Sequence, residues 1–130
     1  MGIYINDERK LFSLTTENTE YAFCIDNQGL VRHLYWGNKI NSPEDFDIPV
    51  LTEVSTNDPV YEITKEEYPV YGGLRYKENC LKVSFEDKTR DIVYKYVGYC
   101  INENELVINL KDAHYNIEID LHYIVLEVVV

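Results

Sequence analysis

Residues 67–99 read EYPVYGGLRYKENCLKVSFEDKTRDIVYKYVGY, and the fold class turns on them. Leu81, Val83 and Phe85 alternate with Lys82, Ser84 and Glu86. Ile92, Tyr94 and Tyr96 alternate with Val93, Lys95 and Val97. A period of two marks half-buried strands, because successive strand side chains point to opposite faces. Asp87-Lys88-Thr89 between the runs suits a short reversal, so the pattern predicts an antiparallel hairpin pairing 81–85 with 92–97.

The same period recurs on both sides of this stretch. Toward the N-terminus, strands are expected at 2–5, at 11–16 and at 21–25, the last with Tyr21, Phe23 and Ile25 on one face. Asn27-Gln28-Gly29 is a turn signal, since Asn and Gly tolerate positive φ. A strand at 30–36 follows, with Leu30, Leu34 and Trp36 opposed to Val31, His33 and Tyr35. Strands 21–25 and 30–36 are expected to pair as a hairpin. A brief strand is expected at 60–64. Toward the C-terminus, 106–110 directs Leu106, Ile108 and Leu110 inward. In 117–125, Ile117, Ile119, Leu121, Tyr123 and Val125 share one face. No amphipathic helix is evident. Repeated short strands with short turns define an all-β chain, folded as an antiparallel β-sandwich or barrel.

One segment breaks the pattern. Residues 41–59 hold Pro43, Pro49 and Pro59 with Glu44, Asp45, Asp47, Glu53 and Asp58, and carry no sustained period. A long loop of this composition is expected to be exposed and mobile.

Composition narrows the function classes. At 130 residues the chain has room for one core, and its 45% hydrophobic content is that of a folded protein. The formal charge of −11 opposes binding to phosphate backbones or anionic lipid, so neither nucleic acid nor membrane is expected as a partner. Cys24, Cys80 and Cys100 are odd in number and scattered, which fits neither a disulfide framework nor a zinc site; buried free thiols are expected. With polar Asn6-Asp7-Glu8-Arg9 close behind Met1, the chain reads as a cytoplasmic protein without a secretory leader. His33, His114 and His122 lack metal-ligand spacing, and each reads as a strand-face residue. Gly72-Gly73 is not followed by the helix start of a phosphate loop. No catalytic residue, metal ligand or cofactor site is assigned. Twelve tyrosines and the single Trp36 suit strand faces and sugar-stacking surfaces alike, so the residues alone leave a carbohydrate-binding module and a ligand-free structural domain open.

Five segments in order resemble the N-terminal domain of the α-galactosidases of glycoside hydrolase family 36. Residues 3–19 (IYINDERKLFSLTTENT) are similar to the family opening, and 30–40 (LVRHLYWGNKI) to its G-x-L-x-H-L-Y-x-G segment. Residues 67–81 carry E-[FY]-P-x-Y-G, while 85–96 and 106–123 resemble the F-x-D-x-x-R-D hairpin and the closing strands. The chain departs at 74–79 (LRYKEN), where many relatives have Gly-Asp-aromatic-Arg-x-Pro. The resemblance implies a β-supersandwich: a single domain over 1–130, the N-terminal part of a longer retaining α-galactosidase. In that family the catalytic carboxylates belong to a (β/α)₈ barrel, which this sequence does not contain. It further implies the barrel as partner, homo-oligomer assembly, and α-galactoside sugars as substrates of the full enzyme. Trp36, Asp45 and Asp47 are the expected substrate-binding residues, reaching a neighbouring subunit's sugar pocket. Finally, Ile124, Leu126, Val128, Val129 and Val130 make the last strand apolar on its second face, so an exposed patch and self-association through 124–130 are expected.

Overall fold

The computed structural model describes residues 2–48, 65–72 and 78–126. Seven strands are named there: β1 (Gly2–Asn6), β2 (Leu11–Thr15), β3 (Thr19–Ile25), β4 (Val31–Asn38), β5 (Tyr94–Asn102), β6 (Glu105–Asp112) and β7 (Glu118–Ile124). They form two antiparallel sheets, β1-β2-β3-β4 and β5-β6-β7. The strand expected at 60–64 lies outside the described residues.

Alternation explains how the sheets meet. Ile3 and Ile5 of β1, Phe12 and Leu14 of β2, Tyr21, Phe23 and Ile25 of β3 and Val31 of β4 share the inner face of the first sheet. Across from them stand Tyr94, Tyr96 and Tyr99 of β5, Leu106, Ile108 and Leu110 of β6 and Ile119, Leu121 and Tyr123 of β7. Phe23 and Tyr123 stack across the interface with centroids 4.5 Å apart, and Tyr99 meets Phe12 edge-on at 5.4 Å. The β3–β4 turn locks the sheets together: Tyr96 N–H donates to Gly29 C=O at 2.8 Å, and Lys95 Nζ to Gln28 C=O at 3.0 Å. Gly29 holds φ +80°, which a glycine takes without strain.

The two outer faces differ. Leu11, Ser13, Ala22, Cys24 and Arg32 on the back of the first sheet are fully buried. The back of the second sheet carries polar pairs, Asn109–Asp120 at 2.7 Å and His122–Glu105 at 2.7 Å.

Two expectations are corrected. First, 81–85 does not pair with 92–97. Leu81 makes a single parallel bridge to Val70, and the hairpin partner of β5 is β6. Leu81, Val83 and Phe85 still pack against the core, so their alternation records one-sided burial without a ladder. The reversal at 85–89 is real, with Phe85 N–H bonded to Thr89 C=O at 2.9 Å. The hairpin turn itself is Asn102-Glu103-Asn104-Glu105, with Glu103 at φ +50°.

Second, a bulge divides β4. Ala22 pairs with Tyr35 and Phe23 with His33, leaving Leu34 as the extra residue. Val31 and His33 therefore share the inner face with Trp36, instead of opposing it.

Residues 49–59 lie outside the described residues, and the described part of the proline-rich segment is largely exposed, as expected. It forms a short 3-10 helix, Pro43–Asp45, whose Glu44 carboxylate accepts from Tyr4 Oη at 2.7 Å. The Arg9 guanidinium donates to the Glu44 and Phe46 carbonyls, and Phe46 packs on Tyr35 at 5.6 Å.

Candidate functional site

The densest polar constellation sits where 65–72 passes along the edge of β4. His33 N–H donates to Lys65 C=O at 3.3 Å and Glu67 N–H to Val31 C=O at 3.1 Å, which seats 65–72 as a strap against the strand. Pro69 and Gly72 fix its path. A Cβ at Gly72 would lie 2.0 Å from the Ile92 carbonyl oxygen, so no other residue fits without moving backbone.

The strap delivers the Glu67 carboxylate, only 6% exposed, into the seam between the sheets. Tyr21 of the first sheet donates to it at 2.7 Å, and Tyr123 of the second at 3.0 Å. His33 Nδ1 donates at 2.9 Å. Burial, and then the adjacent Glu67 charge, push both tyrosine hydroxyls well above the usual phenol range. These groups are held neutral at physiological pH and serve as donors. They are saturated by one another, which makes the cluster a buried clasp rather than a set of poised catalytic groups.

Tyr21 and Tyr123 also floor an open groove of about 500 Å³, with Thr16, Thr19 and Leu14 on one side and His122, Ile124 and Leu126 on the other. Trp36 stands at its rim, 77% exposed. Ile124 is 59% and Leu126 72% exposed, while Val125 between them is buried. An apolar patch thus exists as expected, although Val128, Val129 and Val130 lie outside the described residues.

The three residues predicted to bind sugar are not brought together. Trp36 faces the groove. Asp45 and Asp47 are exposed and flank Phe46, which packs on Tyr35, the neighbour directed to the opposite face of β4. Sequence reasoning missed the clasp. Glu67 follows Lys65-Glu66, so nothing in its neighbourhood marks it off from a solvated acid. Of the three thiols, Cys24 is buried as expected, and burial with the nearby Asp26 charge pushes it up to about 12. Cys80 and Cys100 are exposed, contrary to expectation. Among the described residues, no group of three or more His, Cys, Asp or Glu could hold a metal ion.

Two antiparallel sheets clasped by a buried carboxylate, with an apolar groove between them, define a β-sandwich domain. Residues 29–129 match the glycosyl hydrolase family 36 N-terminal domain, and the chain belongs to that family. It is 27% identical to the bifunctional α-galactosidase/sucrose kinase AgaSK of Mediterraneibacter gnavus, aligning 73% of this chain with 11% of that protein. Its fold is similar to the galactosidase domain of AgaSK, with a TM-score of 0.77 and 26% identity over 97% of this chain and 21% of that one. The α-galactosidase AgaB of Geobacillus stearothermophilus shares the fold, at a TM-score of 0.75 and 20% identity over 95% of this chain and 20% of that one. The chain therefore spans between 11% and 21% of the length of these relatives.

Proposed function

We propose that this chain is the non-catalytic N-terminal domain of an α-galactosidase-like hydrolase of terminal α-galactosides, acting by packing on a catalytic barrel and supporting oligomer assembly. The observation that carries this reading is the groove. Trp36, Ile124 and Leu126 expose apolar surface together on a chain of net charge −11, which is a surface that expects cover. The family relationship supports the barrel as that cover. The chain acts as one β-sandwich unit over 1–130, and its three unpaired thiols support a cytoplasmic setting. The test is a mixture of this protein with a family 36 barrel, assayed on a chromogenic α-galactoside. The chain alone should be inactive. It should co-sediment with the barrel, and Trp36→Glu with Leu126→Lys should abolish that association. Activity of the chain alone, or no association, overturns the proposal.

A second reading is favoured by one feature, the exposed indole of Trp36 beside the Tyr21 ring in the same groove. Such a wall stacks on a pyranose face, as in a carbohydrate-binding module, while Asp45 and Asp47, on the other side of β4, would serve a neighbouring subunit's sugar pocket as a separate surface. Quenching or enhancement of the single Trp36 fluorescence by raffinose distinguishes it from a purely structural domain. In an assembled enzyme, Asp45→Ala with Asp47→Ala should raise KM.

A further inference from the structure

The end of the strap runs between two other segments, 80–84 and 90–92. Val70 bridges Leu81 in parallel, Cys80 N–H donates to Pro69 C=O at 2.8 Å, and Ile92 N–H donates to Tyr71 C=O at 2.9 Å. Tyr71 therefore stands in the middle, with Lys82 supplied by one neighbour and Arg90 by the other. Together they line an open pocket of about 530 Å³, completed by Asn79, Val83 and Ser84. It shares no described lining residue with the groove at Trp36.

Three features set this pocket apart. Both charges on its described wall are positive, on a chain of net charge −11. Neither Lys82 nor Arg90 forms an ion pair among the described residues, and the nearby acids Glu78, Glu86 and Asp91 do not line the pocket. Asn79 Oδ1 is buried without a hydrogen-bond partner among the described residues, which is a costly state for an acceptor. Tyr71 is 49% exposed and offers an aromatic ring beside the cations.

We infer that this pocket binds a small oxyanion carried on a hydroxylated ring, as in a sugar phosphate or a sugar acid. The Arg90 guanidinium offers paired N–H donors to two oxygens of the anion, and Lys82 adds a compact charge. Ser84 Oγ is a further donor. A ligand hydroxyl donates to Asn79 Oδ1 once that amide turns toward the pocket, and the Tyr71 ring covers an apolar face of the sugar. The volume suits a small organic molecule and exceeds what a lone ion fills. This site is independent of the surface proposed to meet the barrel.

The test is a titration of this protein at low ionic strength, followed by backbone amide chemical shifts. The probes are glucose 6-phosphate, glucuronate, inorganic phosphate and glucose. Saturable shifts at Lys82, Ser84 and Arg90 are expected with glucose 6-phosphate or glucuronate, at lower concentration than with inorganic phosphate, and none with glucose. The tighter of the two sugar derivatives tells phosphate from carboxylate. Added salt should weaken the binding. Lys82→Gln with Arg90→Gln should weaken it about tenfold or more. Both side chains are exposed, so the variant should keep its fold, which far-ultraviolet circular dichroism checks. Tyr71→Ala should bring the sugar derivative down to the affinity of inorganic phosphate. No saturable shift with either sugar derivative, equal affinity for inorganic phosphate in the parent protein, or unchanged binding by the double variant overturns the proposal.

Discussion

Tyr21 and Tyr123 reach one carboxylate from opposite sheets, at 2.7 Å and 3.0 Å. Apart from the bonds of the β3–β4 turn to Lys95 and Tyr96, the sheets meet largely through apolar contact, which is not directional. The shared acceptor adds a fixed point, and the seam is held in one alignment at the groove. Replacing Glu67 by Ala removes the acceptor shared by both hydroxyls and the His33 N–H in a half-buried seam. The expected loss is about 1.5–3 kcal/mol for bonds to a charged acceptor. Urea unfolding measures it, and a loss below the scatter of surface substitutions would show that water replaces the carboxylate without cost.

The same pair predicts alkaline behaviour. Their folded-state pKa values are raised, first by burial and then by Glu67. A raised pKa contributes stability that is complete below the unfolded value, about 10 for tyrosine, and is lost as pH rises beyond it. The protein should therefore weaken progressively above pH 10. Tyr21→Phe with Tyr123→Phe should flatten that decline, as followed by circular dichroism against tyrosinate absorbance.

Asp26 and Arg32 form an ion pair with both side chains fully buried. The Asp26 carboxylate also accepts from the Gln28 and Leu30 amides, at 2.8 Å and 3.0 Å. Removing Arg32 leaves the buried Asp26 carboxylate without its cation, at a cost of about 3–5 kcal/mol. Arg32→Met should show this in denaturant melts. Combining it with Asp26→Ala should cost clearly less than the sum of the two single changes.

Gly72 and Gly98 should respond oppositely to alanine. At Gly72 the methyl collides with the Ile92 carbonyl, and overpacking of this kind costs about 1–3 kcal/mol. At Gly98 nothing lies within 4 Å of the new carbon, and the change should stay within about 0.5 kcal/mol. Thermal melts of the two variants side by side decide it.

The exposed Ile124 and Leu126 should drive weak self-association of the isolated protein, opposed by its −11 charge. Low salt leaves that repulsion less screened and should favour monomers. Sedimentation of Ile124→Lys, Leu126→Lys beside the parent, across salt and concentration, is the check. Two monomers throughout would mean that the tail covers its own patch.

Strands β1, β2, β3, β6 and β7 were legible because their alternation coincides with ladder pairing. The segment at 81–85 misled for a physical reason: burial on one side gives the same period whether or not the backbone is bonded to a neighbour. The Asn102–Glu105 reversal was missed, although Asn at 102 and 104 favours a tight turn and an αL residue sits between them. Trp36 was recognisable as unusual, yet its face was not, since one extra residue in β4 inverts the parity. The clasp was illegible because its four members, Tyr21, His33, Glu67 and Tyr123, come from distant parts of the chain. No spacing rule joins them.

The bulge at Leu34 works as an address label. It decides which of two adjacent aromatic rings, Tyr35 or Trp36, is delivered to the groove and which to the 3-10 helix behind the sheet. Were Leu34 paired regularly instead of bulged out, the two rings would exchange destinations: the indole would face the back of the sheet toward Phe46, and the phenol would stand at the groove's rim. Deleting Leu34 outright would instead leave Tyr35 opposite Ala22 and Trp36 opposite Tyr21, so the contact surface depends on how that one residue is accommodated and not on its presence.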